Sequence, residues 1–393
     1  MNAVPNPAPA QSWILLSDPD LTQAELDAVS GVLCSPQLSH GPMVAAFEAA
    51  FAQYLGRKYA VAVGGGTLGM MLALKAHGIG AGDEVIASSY SWRETAHAIT
   101  LVGATPVFVD IDYWSGVMVP EKVAARVTPK TRAILANNTN GHPAPWGPLR
   151  TLAQRHQLLL LEDSTEAIGS LYQDRLVGTF GDCSVFDFSQ PAALCSGEGG
   201  MVVTDDADIA RTIRNYRSHK LTDRSSLVVG AYAPYQTCMS ELSAALGLAQ
   251  LGRIGNILER RKYIERVYFE LVKAFEGIKD PYVAPEVNTA HWFLYLVHLG
   301  TRVSKSSCDA IVEDLRRECI DAYVYCQPLH TQRHYIDLSS SNRRGKILVT
   351  EKLANRAVAL PFHCHLSEEQ IAFIVSTMKD ASVNVGAGAA IYL

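Results

Sequence analysis

Apolar positions along the chain fall into short continuous runs separated by helical stripes. Val44, Phe47, Phe51 and Leu55 are spaced by threes and fours, which predicts one face of a helix closed by Gly56. A β-prone run at 59–63 follows, then three glycines and Thr67 opening a second helix with Leu68, Met71, Leu72 and Leu74 on its apolar face. Further buried-strand runs are read at 84–87, 106–111, 132–136, 158–163, 183–188 and 201–204, with helical stretches such as 92–102 and 149–156 between them. This alternation predicts an α/β fold with a mainly parallel sheet covered on both faces, where ligands gather at the carboxyl ends of the strands. Residues 240–261 read as one long helix, after which charge rises, and 284–289 reads as a connector into a second unit ending near Met378. The predicted organisation is a large domain over 1–255 and a smaller C-terminal α+β domain over 256–393.

Composition narrows the function classes. At roughly 150 residues per domain, 393 residues suit such a pair, and 48% apolar with 19% charged residues excludes a disordered chain. The formal charge of −5 leaves no broad basic field for nucleic acid or an anionic membrane. Apolar runs such as the four leucines at 158–161 are far shorter than the roughly 20 residues that span a bilayer. The Pro-rich lead has no basic segment before an apolar one, so a cytoplasmic protein is expected. Eight scattered cysteines without a C-x-x-C pair predict reduced thiols, and His363 and His365 around Cys364 lack a third ligand, so no metal is expected.

Three features sit where strands should end. Gly64-Gly65-Gly66-Thr67 at a helix start offers backbone N–H groups to an anion, although a tight turn would look the same. Glu162-Asp163 closes the leucine strand with carboxylates that could cap a helix or partner a protonated ring nitrogen. Gly197-Glu198-Gly199-Gly200 reads as a glycine hairpin into the strand at 201–204.

Taken in order, HGPMVAAFEAAFAQYLGRKYAVAVGGGT, SYSW at 89–92, GATPVFVDID, LEDSTEAIGS at 161–170, SGEGGMVVTDD and MSELSAALGLAQL resemble the DegT/StrS family of pyridoxal-phosphate sugar aminotransferases. The resemblance runs from about 38 to 378 and extends to the 3-amino-5-hydroxybenzoate synthase branch. It implies the PLP-dependent transferase fold type I, a sugar-like or cyclitol-like substrate, and a homodimer whose clefts are shared. It also implies that Gly66 and Thr67 form the phosphate cup, that Trp92 stacks on the cofactor ring and that Asp163 pairs with the pyridinium nitrogen. Glu166 stands where the family has Gln or His near the ring oxygen, and Tyr325 and His330 match a segment beside the substrate.

The same comparison implies departures. The Schiff-base lysine position, counted back from Gly-Glu-Gly-Gly, holds Ala192, and Asp187 replaces a phosphate-binding serine. Gln236 and Cys238 replace an Asn and an Arg of the cross-subunit phosphate segment. Binding of pyridoxal or pyridoxamine phosphate is therefore expected to be weakened or lost. Three readings follow: a natural member without ordinary transamination, catalytic otherwise or only a binding or scaffold protein; an aminotransferase whose lysine has been replaced; and a chain in which Lys220 substitutes.

Overall fold

A computed structural model describes residues 12–218, 233–273, 275, 278–300, 303–338 and 347–385. The seven runs read as strands all pair in one sheet. Its members come from β1 (Tyr59–Val63), β2 (Glu84–Ser88), β3 (Thr105–Val109), β4 (Thr131–Asn137), β5 (Leu159–Asp163), β8 (Cys183–Asp187) and β9 (Gly200–Thr204), in the order β1-β9-β8-β5-β4-β2-β3. Two short strands, β6 (Leu171–Tyr172) and β7 (Arg175–Leu176), form a separate sheet with β11 (Val287–Thr289). Contacts from β8 through β3 are parallel, whereas β9 runs antiparallel to both β1 and β8. The reversal has a physical reason: no helix separates β8 from β9, and parallel neighbours require a crossover.

Alternate strand residues feed opposite faces. Val61, Val63, Val85, Leu161, Val185 and Val202 pack against the stripes of α3 (Gly66–Ala76), α4 (Arg93–Leu101) and α7 (Ala207–Arg217). On the other face Ala60, Ala62, Phe186 and Met201 meet α2 (Pro42–Leu55) and α8 (Glu241–Gly252). The remaining helices are α1 (Gln23–Leu33), α5 (Pro120–Ala124), α6 (Trp146–His156), α9 (Ile254–Val272), α10 (Lys305–Arg317), α11 (Leu348–Ala354) and α12 (Glu368–Asn384). A four-stranded antiparallel sheet of β10 (Ile278–Lys279), β12 (Tyr295–Leu299), β14 (Ala357–Leu360) and β13 (Tyr323–Val324) completes the fold.

One expectation changes here. The helix predicted over 240–261 is two helices that meet at Arg253, and the expected division at 255/256 falls just inside α9. Tyr268 and Val272 of α9 share one apolar core with Ile86, Val107 and Leu160 of the large sheet and Val297, Ile311 and Ile371 beyond it. The C-terminal unit is thus fused to the first by a continuous core.

A buried carboxylate fixes the entry to this frame. The N-cap of α2 is Gly41, which has no side chain to satisfy the first turn. Glu241, 1% exposed, accepts instead from the N–H groups of Gly41, Met43 and Val44 at 2.9, 2.8 and 2.9 Å. Each is a charge-assisted bond at a helix N-terminus. Glu241→Ala strands three donors and is expected to cost about 3 kcal/mol or more in urea unfolding, with Glu241→Gln losing less; a cost below about 0.5 kcal/mol would show that the cap is dispensable.

Candidate active site

The last two residues of β5 point to opposite sides of the sheet and do different work. Glu162, fully buried, accepts from Asn138, Ser164, Ser184 and the backbone N–H groups of Gly178, Phe180 and Gly181, so it ties the 178–181 loop to the strand. Asp163 lines a cavity of about 200 Å³. It accepts there from the Thr95 hydroxyl at 3.1 Å and the Thr165 N–H at 3.2 Å.

The cavity opens where β4, β5 and β8 end, in Asn137, Asp163 and Asp187 respectively. Gly66 and Thr67 at the start of α3, Trp92 at the N-cap of α4, Glu166 and Phe293 complete its wall. Gly66 N–H donates to Asp187 Oδ2 at 2.5 Å, while Asp187 Oδ1 accepts from both the N–H and the hydroxyl of Ser189. All three bonds are donated to Asp187, a pattern that the ionised carboxylate satisfies. The packing is close: a Cβ on Gly66 would lie 2.7 Å from Asp187 Cβ, and a Cβ on Gly200 would lie 2.7 Å from the Gly65 carbonyl carbon. Both positions need glycine, because the Asp187 side chain at Gly66 and backbone at Gly200 occupy the place where a side chain would begin. The Gly197–Gly200 turn thus abuts the turn that opens α3.

Glu166 accepts from Trp92 Nε1, from Asn140 N–H at 2.6 Å and from the Tyr325 hydroxyl. The Trp92 ring stands edge-on to Phe293 and Tyr325. Burial pushes the Glu166 carboxyl up, the bonds from Tyr325, Asn140 and Trp92 pull it back, and the charge of Asp163 adds to the rise, leaving it at about 7. Asp163 is also raised, first by burial and further by the charge of Asp187, against the bonds from Thr165 and Thr95. Among the described residues, no Lys, Arg or His lines the cavity.

The structure therefore brings Gly66, Thr67, Trp92, Asp163, Glu166 and Asp187 together. Tyr325 joins through its bond to Glu166. Ala192 is half-buried and follows Pro191, a cavity-wall residue. Gln236 is exposed in a left-handed backbone conformation and does not line the cavity; its segment touches the site through Thr237, whose carbonyl accepts from Gly64 N–H at 2.6 Å. His330 likewise does not line the cavity. It is fully buried, with Nδ1 at 2.6 Å from Ser89 Oγ and Nε2 at 2.9 Å from Glu351, so both ring nitrogens brace the β2–α4 loop against α11. Lys220 lies outside the described residues. His363 and His365 contact the carbonyls of Leu15 and Pro19 in the N-terminal arm.

Asn137, Thr95, Asn140 and Phe293 were missed from sequence. Asn137 follows directly on the run predicted at 132–136, a position that marks the carboxyl end of a strand. Phe293 arrives from a remote segment and carries no local signal. A wider groove at the other end of the strands is lined by four arginines, of which Arg57 pairs with Asp205 at 3.0 Å, Arg150 with Asp182 at 2.6 Å and Arg132 with Asp83 at 3.9 Å, while Arg175 donates to the Thr179 carbonyl at 3.0 Å.

The raised Glu166 carboxyl has a stability signature. The folded chain holds this proton more tightly than the unfolded chain, whose carboxyl titrates near 4.5. The contribution is full below pH 4.5 and is lost as pH rises through about 7, a change of about 3 kcal/mol. Urea midpoints should fall from pH 5 to pH 8, and Glu166→Gln should flatten that slope; an equal slope in both proteins would refute the assignment.

Comparison with known proteins agrees with this architecture. The model of the DegT/DnrJ/EryC1/StrS aminotransferase family matches residues 19–379. The spore coat polysaccharide biosynthesis protein SpsC of Bacillus subtilis is 32% identical over 372 residues, covering 92% of this chain and 95% of that protein. GDP-perosamine synthase of Caulobacter vibrioides is 32% identical over 375 residues, covering 94% and 98%. DesV of S. venezuelae, solved in complex with a ketimine intermediate, superposes with a TM-score of 0.81 at 30% identity, covering 91% of this chain and 93% of DesV. With its cleft at the carboxyl ends of a mostly parallel sheet and its match running nearly end to end, the chain belongs to the DegT/DnrJ/EryC1/StrS aminotransferase family.

Proposed function

We propose that this chain uses the family cleft to hold a small biosynthetic molecule, sugar-like or cyclitol-like, without running ordinary transamination. The observation that carries the reading is Ala192 beside the cavity wall, at the position where the family resemblance implies a lysine. Transamination needs an amine at that point to form an imine and carry a proton; a methyl group does neither.

Family membership implies pyridoxal phosphate, and the residues present fit it only in part. Asp163 and Trp92 suit a ring, one as partner of a ring nitrogen and the other as an aromatic wall. The phosphate half does not fit. Asp187 already takes the Gly66 N–H that an anion would use. A phosphate within about 4 Å of that carboxylate meets a repulsion of about 4 kcal/mol at an effective dielectric near 20, a loss near a thousandfold in affinity. An aminotransferase altered only at its lysine leaves Asp187 without a reason, which favours the lysine-free reading. The same reading has the chain working in the cytoplasm as a homodimer, with the exposed segment around Gln236 facing the second copy.

Pyridoxal phosphate added to the purified chain, a dimer in sedimentation, should give no imine absorption and no lysine fixed by borohydride. Ala192→Lys alone should stay weak, whereas Ala192→Lys with Asp187→Ser should form the imine. A lysine fixed in the unaltered chain, at 220 or elsewhere, would overturn the reading.

A further inference from the structure

We propose that the cavity is a receptor for a small ring-bearing amine that carries no phosphate, its protonated nitrogen held by the carboxylates of Asp163 and Glu166 and the amide oxygen of Asn137. The proposal rests on the reading above that no lysine imine forms in this cleft.

The first support is a count of donors against acceptors around one space. The polar hydrogens of Gly66, Trp92, Thr95, Asn138 and Ser189 are spent on protein acceptors, namely Asp187, Glu166, Asp163, Glu162 with Ser164, and Asp187, while Gln190 spends one amide hydrogen on Ser17 and the Thr67 hydroxyl, able to donate or accept, also lines the space. Carboxylates meanwhile enter the lining from four places: Glu94, Asp163, Glu166 and Asp187. Arg93, itself exposed, pairs with Glu94 at 3.3 Å and offsets that charge alone. A bound molecule therefore meets four carboxylates and no lining Lys, Arg or His among the described residues, and a positively charged hydrogen-bond donor is its complement.

The second support is independent of the acids. Asn137 lines the cavity and is 4% exposed, yet its Oδ1 has no hydrogen-bond partner. Its orientation follows from its neighbours: Asn137 Nδ2 donates to Thr139 Oγ1 at 2.8 Å, and that hydroxyl in turn donates to the Gly116 carbonyl at 3.1 Å. The amide oxygen is thus the end left over. A buried acceptor without a donor is costly, and an ammonium N–H would satisfy it. Trp92 and Phe293, set edge to face, give the ligand ring an apolar wall and the cation an aromatic face.

The helix-start turn decides against phosphate. In this chain Asp187 stands in for an external anion at Gly66, so the positive end of α3 is already neutralised from within. A phosphate ester would have to displace Asp187 from three hydrogen bonds and then share the cavity with its charge.

Calorimetry on the full chain at pH 7.5 with three matched probes reads the proposal directly. Pyridoxamine carries the amine, pyridoxine replaces it with a hydroxyl, and pyridoxamine 5′-phosphate adds the phosphate. Pyridoxamine should bind about tenfold or more tightly than either of the others. Asp163→Asn should weaken pyridoxamine about tenfold, and Asp187→Ser should raise the affinity of the phosphate ester while leaving pyridoxine unmoved. Tighter or equal binding of the phosphate ester by the unaltered chain overturns the proposal, as does the absence of pyridoxamine binding at millimolar concentration. The comparison among unaltered-chain affinities needs no variant to fold. Failure here leaves the lysine-free reading standing, since that reading falls only if borohydride fixes a lysine to the aldehyde.

Discussion

The hydrogen bond from Gly66 N–H to Asp187 constrains everything else in the cleft. A helix start that ends at the mouth of a parallel sheet is an anion site by geometry, because its first N–H groups lack intrahelical partners. Here the last residue of β8 supplies the anion from inside the chain. Burial is the chief reason that the Asp163 and Glu166 carboxyls are raised, and the charges of Asp187 and Asp163 respectively add a smaller rise. The carboxylates gathered at this mouth together make a field that favours cations over phosphate.

The frame around the cleft keeps that side chain in position. Gly66 and Gly200 let two backbone segments close on the Asp187 stem, and Glu162 anchors the loop that follows β7 to the neighbouring strand. Glu241 joins α2 to the start of α8, so the segment that precedes α8 and passes Gly64 is tied to the body of the fold. Glu162 and Glu241 are structural carboxylates outside the cavity wall, whereas Asp163, Glu166 and Asp187 line the cavity itself. The difference separates residues that hold the family scaffold from residues that set its chemistry.

How much was legible in the sequence depended on range. All seven strands of the large sheet stood out because both of their faces are apolar, and Asp163 stood out because it ends such a run. The reversal at β9 was marked only by the glycine hairpin that leads into it, since a short strand carries no mark of its own direction. Glu162 and Asp163 look equivalent as a pair, and only strand alternation divides them into a buried tie and a cavity group. The bracing role of His330 was not legible because Ser89 and Glu351, its two partners, come from distant parts of the chain. Ala192 and Asp187 were found by counting along a motif, but the bond that makes Asp187 decisive is a contact across 121 residues and needed the fold.

The most direct measurement is the amide resonance of Gly66 in a deuterated, nitrogen-labelled chain, followed with added inorganic phosphate. The account predicts a strongly downfield amide that disappears from that position in Asp187→Ser and does not respond to millimolar phosphate in the unaltered chain. A Gly66 resonance that ignores Asp187 and shifts on phosphate addition would contradict it.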